Sequence, residues 1–177
     1  GYLIGDMFED IYFLEDVMEF NRRIVEATRS KDARASEITA IFGTPVVDPS
    51  KRGEDGRPRT YNAAIVAQNG KVITRMPMPL STFKSLQPNY RFFNDDKHFY
   101  SLRKSKDELD CKLSDLLLPL SVKTRVGMID IGVILCEDMW HLDYAFNPTK
   151  ILVDNGAKIV FNLSASPWTW QKNRKRH

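Results

Sequence analysis

Gly132-Val-Ile-Leu-Cys136-Glu-Asp-Met-Trp140, followed by Asn147-Pro148, Gly156 and Lys158-Ile-Val-Phe-Asn-Leu163, is the stretch that decides the fold. The apolar run up to Leu135, within Val126 to Leu135, reads as one or two strands, with a bend possible near Asp130-Ile131-Gly132. Asn147-Pro148 is a helix start with Pro at the first helical position, and Gly156 is a stop. Lys158 to Leu163 reads as a second buried strand. Strand, helix, strand in that order argues for an α/β layered fold.

The reading extends outward from there. Tyr61 to Gln68 and Lys71 to Met76 flank Asn69-Gly70, a two-residue hairpin signal. Asp6 with Glu9 has the spacing of a capping box, and Met7, Ile11, Leu14 and Met18 recur at helical spacing, widened by Val17 and Ile24. That predicts a helix through about Ser30. Ile38 to Phe42 is a short buried strand closed by Gly43 and Pro45, and Asp48 to Arg59 is a loop. Met76 to Phe99 has no clean period, carries Pro77, Pro79 and Pro88, and is rich in aromatics. An irregular segment of that length in a compact domain is more often functional than idle. Ser101 to Asp110 is charged and expected to be exposed.

Composition narrows the classes. With 177 residues, 42% hydrophobic and 28% charged, the chain can bury a core of its own, which excludes disorder as its main state. No apolar run approaches the ~18 residues of a membrane span. Two cysteines, Cys111 and Cys136, are too few for a disulfide framework, so a reducing, cytoplasmic setting is expected. The net charge of +3 comes from the tail: without Lys172, Arg174, Lys175 and Arg176 the chain counts 22 basic against 23 acidic residues. A nucleic-acid binder spreads its basic surface across the fold, so no nucleic-acid or membrane partner is expected. The start at Gly1 and the end within a basic run are expected to be those of a piece of a longer protein.

Cys136 stands at the carboxyl end of a strand where the chain turns, the edge at which α/β folds bind ligands. A thiol there attacks a carbonyl when a cation or backbone N–H groups lower its pKa, although a buried inert cysteine is the commoner case. Lys84, in Phe83-Lys84-Ser85-Leu86-Gln87-Pro88-Asn89-Tyr90, is either a solvated lysine or a cation set against a developing oxyanion. Asn162-Leu-Ser-Ala-Ser-Pro167 suits a turn or a polar pocket wall. The three histidines and two cysteines show no zinc-ligand spacing, and neither a phosphate-cradling glycine motif nor a Gly-x-Ser-x-Gly elbow is present. Cys111 is expected only to pack.

Taken in order, several blocks together resemble the carbon–nitrogen hydrolase (nitrilase) superfamily and, within it, the glutaminase domain of glutamine-dependent NAD synthetases. They are Gly1-Tyr2 to Asp6 with Glu9-Asp10, Phe42-Gly-Thr-Pro45, Tyr61-Asn62-Ala-Ala64, Asn69-Gly70-Lys71, Lys84 to Phe99, Cys136 to Trp140 and Asn162 to Pro167. The resemblance implies an α/β fold of the αββα nitrilase-like sandwich type, incomplete at both ends. Residues 1–177 would then be a partial carbon–nitrogen hydrolase domain, with the synthetase domain absent. It implies a Glu-Lys-Cys triad with Cys136 as nucleophile and Lys84 as oxyanion stabiliser, helped by the backbone N–H of Glu137. Tyr90, Glu137, Ser166 and Lys172 stand where, by the same resemblance, members of that family contact glutamine.

The general-base Glu of the pattern lies a few residues before the Gly-Tyr pair, upstream of Gly1, so this stretch alone is expected to be inactive. Gln87 and Arg91 replace the pattern's Leu and Gly, and its acidic pair is Asn94-Asp95. No cofactor is implied for these residues; ATP and Mg belong to the synthetase domain. The expected partners are glutamine, that synthetase domain and, as homo-oligomers, further copies of the chain. Two other readings stay open, a stand-alone amidase on another small amide and a non-catalytic interaction module.

Overall fold

Asp10 caps the first helix. Its Oδ1 accepts from the backbone N–H groups of Tyr12 and Phe13 at 2.9 and 3.3 Å, which starts α1 (Ile11–Ala27). Asp6 and Glu9, the expected capping pair, lie instead in a preceding 3-10 turn (Gly5–Glu9) that has no side-chain cap. The structure is a computed structural model and describes residues 4–29, 38–75, 81–91, 93–166 and 170–171. Gly1 to Leu3, Met76 to Leu80, Pro167 and the basic residues from Lys172 onward lie outside the described residues.

The expected apolar stripe of α1 is not its buried face. Leu14 and Asn21 are buried, whereas Met7, Ile11, Met18 and Ile24 are between 38% and 48% exposed. A buried polar pair holds that rotation, because Thr44 Oγ1 donates to Asn21 Oδ1 at 3.0 Å. Such a pair is costly to leave unmade, so it competes with the apolar pattern.

β1 (Thr39–Arg52) runs through Gly43 and Pro45 rather than stopping there, and pairs antiparallel with β2 (Pro58–Gln68). Pro45 faces Asn62 in the register, and its missing N–H is tolerated because β1 lies at the edge of its sheet. The expected loop shrinks to residues 53–57. Asn69 and Gly70, with φ of 51° and 72°, turn the chain into β3 (Lys71–Val72), as the two-residue hairpin requires. β4 (Thr82–Phe83) also pairs with β2, completing the first sheet.

Three short helices follow: α2 (Asp95–His98), α3 (Leu102–Glu108) and α4 (Leu113–Leu116). α3 falls in the segment expected to be exposed, yet it buries Leu102 and Ser105. The second sheet has β6 (Gly127–Leu135) at its centre, antiparallel to β5 (Leu120–Thr124). After β6 come two 3-10 turns (Cys136–Met139 and His141–Asp143), then α5 (Pro148–Asp154), capped by Asn147, and β7 (Ile159–Leu163), parallel to β6. β7 was expected to be buried. It is an outer strand of its sheet, and Ile159 and Phe161 are 46% and 39% exposed.

The two sheets meet through Ala64 and Val66 of β2, Leu120 and Val122 of β5, and Ile131, Val133 and Leu135 of β6. Alternate residues on each strand point the other way. On β2 these are Tyr61, Ala63, Ile65 and Ala67, and on β6 Ile134; all lie in one cluster that also holds Leu152 of α5 and against which Val25 of α1 packs. Gly132 lies so close to α5 that an added Cβ would come within 3.1 Å of Leu152. The result is a mixed α/β domain in which the end of β6, and with it Cys136, is held from both faces. No helix among the described residues is long and apolar enough to cross a membrane.

Candidate active site

Cys136 is the first residue after β6, and its φ of 46° lies in the left-handed region that non-glycine residues avoid. Such a conformation persists only where its surroundings impose it, and it commonly marks a functional turn. Here Leu135 on one side is anchored in the inter-sheet core, and Glu137 and Asp138 on the other are buried. The turn lifts the half-buried Cys136 thiol into a cavity of about 510 Å³.

Lys84 lines the same cavity, as do Asn62, Pro88, Asp95, Ser164 and Ala165. Its backbone is fixed by two hydrogen bonds: its N–H donates to Asn62 O at 2.8 Å, and its carbonyl accepts from Leu102 N at 3.1 Å. The residue is 4% exposed, and its Nζ donates to Asp95 Oδ2 at 2.5 Å. A buried ammonium demands such a partner. Lys84 is therefore a buried, carboxylate-paired lysine rather than a solvated one, and Asp95, which the sequence singles out only as half of the Asn94-Asp95 pair, lines the same cavity.

Glu137 is 5% exposed, and its carboxylate accepts from two phenols. Tyr90 Oη lies 3.2 and 3.1 Å from the two oxygens, and Tyr144 Oη lies 3.0 Å from Oε1. Burial, then the neighbouring Glu137 charge, push the Tyr90 hydroxyl up to about 12, and Tyr144 is raised for the same reasons. Both phenols thus stay protonated as donors. Two protons do not saturate a carboxylate with about four acceptor positions, and no lysine or arginine among the described residues pairs with it. Glu137 retains capacity for a further, preferably cationic, donor. Tyr144 went unnoticed in the sequence because it sits in an unremarkable segment, and only the turn after Trp140 brings it back.

Glu137, Tyr90 and Tyr144 form a cluster next to Cys136 in the chain but do not line the cavity that holds its thiol and Lys84, and the remaining expected site residues are placed as follows. Ser166 Oγ lies 2.9 Å from Ser164 Oγ, and Ser164 rather than Ser166 lines the cavity. Lys172 lies outside the described residues. Gln87 does not line the cavity; its Nε2 donates to the carbonyl of Phe99, which does, at 3.0 Å. Arg91 has φ of 57°, a conformation that glycine adopts without strain.

A larger hollow of about 950 Å³ lies across Phe8, His98 and Phe99 from this cavity. It holds no thiol, and its charged residues largely pair with one another, as Arg59 does with Glu108 at 2.6 Å and Arg57 with Glu9 at 2.8 Å. Asp6, Glu9 and His98 bring potential ligand atoms within 4.8 Å of one another, but Lys97 Nζ already bonds Asp6 at 2.6 Å and pairs with Glu9 at 3.2 Å. That ammonium supplies the positive charge a metal would bring.

Over 99% of its length the chain is 30% identical to a glutamine-dependent NAD(+) synthetase of Synechocystis sp. (strain ATCC 27184 / PCC 6803 / Kazusa). The chain is homologous to one stretch of such synthetases. A second relative of the same name, from Thermotoga maritima (strain ATCC 43589 / DSM 3109 / JCM 10099 / NBRC 100826 / MSB8), is 26% identical over 95% of the chain. The chain spans about a quarter of the length of these curated relatives, 28% and 23% respectively. No family model matches it. The name both relatives share is that of an enzyme of NAD synthesis.

Proposed function

We propose that this chain is the glutamine-hydrolysing part of a glutamine-dependent NAD(+) synthetase, a carbon–nitrogen hydrolase domain of the αββα sandwich type. The observation that carries the reading is the convergence of two side chains on one cavity: a thiol on a left-handed turn and a buried, carboxylate-paired lysine. The two sheets packed face to face, with α1 on one and α5 on the other, support the sandwich.

In the proposed reaction the Cys136 thiolate attacks the side-chain amide carbon of glutamine. Negative charge develops on the carbonyl oxygen, where the Lys84 ammonium and the backbone N–H of Glu137 stabilise it; one such preorganised donor is worth about 3 kcal/mol. Collapse breaks the C–N bond, the leaving nitrogen departs protonated as ammonia, and a glutamyl thioester on Cys136 remains. Water hydrolyses it to glutamate and frees the thiol. The general base that takes the thiol proton and activates the water would be a glutamate upstream of Gly1. The ammonia would go to a synthetase domain beyond this chain, where ATP and Mg act in amidating deamido-NAD. Glu137, with Tyr90, would receive the α-ammonium of glutamine, which favours glutamine over simple amides. The cytoplasm and a homo-oligomer remain the proposed setting.

The test is ammonia release from glutamine by the gene product with its flanking sequence, compared with its Cys136→Ala variant. Loss of release in the variant supports the reading; equal release from both proteins sinks it.

A further inference from the structure

Asp138 is a deeply buried ionisable group for which the proposed reaction has no use. It is 1% exposed, and its carboxylate meets three backbone N–H groups from two distant segments. Oδ1 accepts from Ser85 at 3.1 Å and Leu86 at 2.8 Å, the two residues after Lys84. Oδ2 accepts from Leu135 at 3.0 Å, the residue before Cys136. One side chain thus joins the strand end that carries the lysine to the strand end that carries the thiol, which are about fifty residues apart in sequence.

We propose that Asp138 is a positioning residue: its ionised carboxylate locks the Lys84 segment to the Cys136 turn, and protonating it releases the lock. The catalytic half of this inference rests on the glutaminase reading above; the lock itself does not. An ionised carboxylate can serve all three donors because both oxygens only accept. A proton on Oδ2 would confront the Leu135 N–H, and one on Oδ1 would confront Ser85 or Leu86. In either case the protonated oxygen becomes a weaker, crowded acceptor for the N–H that faces it, and all three bonds lose their charge assistance.

The charged neighbours set when this happens. Burial pushes the Asp138 carboxyl up to about 6, against the three N–H bonds and the Lys84 ammonium, which favour the charged form. Asp95 shares that ammonium, and Tyr144, just after the second 3-10 turn, feels the Asp138 charge. The lock is therefore closed at neutral pH and opens just below it. The three N–H bonds hold the Asp138 pKa below the level that burial alone would set. A carboxyl that stays buried but leaves those bonds therefore takes up its proton more readily than the locked one, and acid favours release. The unfolded state, in which the carboxyl is solvated, binds that proton less well, so this group does not drive unfolding in acid.

Amide hydrogen exchange of the wild-type protein, corrected for intrinsic rates, tests the lock without any substrate. On going from about pH 7.5 to about pH 5, protection at Ser85, Leu86 and Leu135 should fall about tenfold more than at Ile65 and Val66 of the core. Equal changes at both sets would overturn the proposal. Kinetics of the intact gene product give the catalytic half. Asp138→Asn should lower kcat for glutamine about thirtyfold at about pH 7.5, with KM within about threefold, and should abolish the part of the acid limb centred near pH 6. Counting reactive Cys136 thiols normalises each rate for folded protein. A rate loss that merely follows the loss of reactive thiol, or an unchanged acid limb, would contradict the positioning role. A wild-type protein that keeps the exchange signature but never hydrolyses glutamine would refute the glutaminase reading and leave the lock standing.

Discussion

Separating Lys84 from Asp95 is the perturbation that asks most of the site. The two side chains are 5% and 11% exposed and meet at 2.5 Å. Removing one partner of a buried pair leaves the other charge unsolvated, at a cost of about 3–5 kcal/mol, whereas removing both costs far less. Asp95→Asn and Lys84→Met are each expected to destabilise the fold by ~3–4 kcal/mol, and the double variant by only ~1–2 kcal/mol. The coupling energy is then at least about 4 kcal/mol, well above the few tenths that separate independent sites. Urea unfolding at neutral pH, followed by tryptophan fluorescence and far-ultraviolet circular dichroism, measures all four corners of the cycle. Additivity within about 0.5 kcal/mol would refute the idea that Asp95 neutralises a buried cation. Lys84 would then be a half-solvated residue, and its part in oxyanion stabilisation would lose its footing.

Other perturbations reach the scaffold. Arg59 holds the Glu108 carboxyl down at about 2, with bonds of 2.6 and 2.7 Å, and Tyr100 assists. A depressed carboxyl stabilises the fold above its unfolded pKa of about 4.5 and ceases to do so as pH falls through about 2. Because Glu108 is 32% exposed, solvent screening limits the gain, and Glu108→Gln should cost ~1–2 kcal/mol at pH 7 but almost nothing near pH 2. Urea midpoints at the two pH values check this; a cost that does not shrink in acid would contradict it. Gly132→Ala would drive a methyl against Leu152 and Val160 at 3.1 to 3.3 Å, so it should destabilise by ~1–3 kcal/mol. Leu152→Ala in the same chain, which removes the Cδ1 contact but keeps the contacts with its Cβ and with Val160, should relieve only part of the cost of the added methyl. Melting of the single and double variants decides; an unaffected Gly132→Ala protein would mean β6 is not clamped by α5.

Much of the architecture is local and was legible. Asn69-Gly70 sets its own turn, Asn147-Pro148 caps its own helix, and the run before Cys136 ends where the apolar residues end. What failed depended on partners far along the chain. Pro45 looked like a strand stop, but its strand is an edge whose missing donor faces no neighbour. The stripe through Ile11 and Met18 looked like a core face until the Thr44–Asn21 hydrogen bond turned the helix. Lys158 to Leu163 read as buried because its composition is apolar, and sheet position is not written in composition. The site divides the same way. Cys136 was visible from its place at a strand end, and Lys84 from its irregular surroundings. Tyr144 and Asp138 act across turns and between sheets, and nothing local marks them.

The central claim, that Cys136 is a nucleophile aimed at glutamine, is tested most directly by covalent capture. The intact gene product is treated with a diazoketone analogue of glutamine and digested, and the modified peptide is identified by mass. One adduct per chain is expected, on the Cys136 peptide, absent from Cys136→Ala and formed at least about tenfold more slowly in Lys84→Met. Labelling that falls on Cys111, or that proceeds equally with and without Cys136, would contradict it.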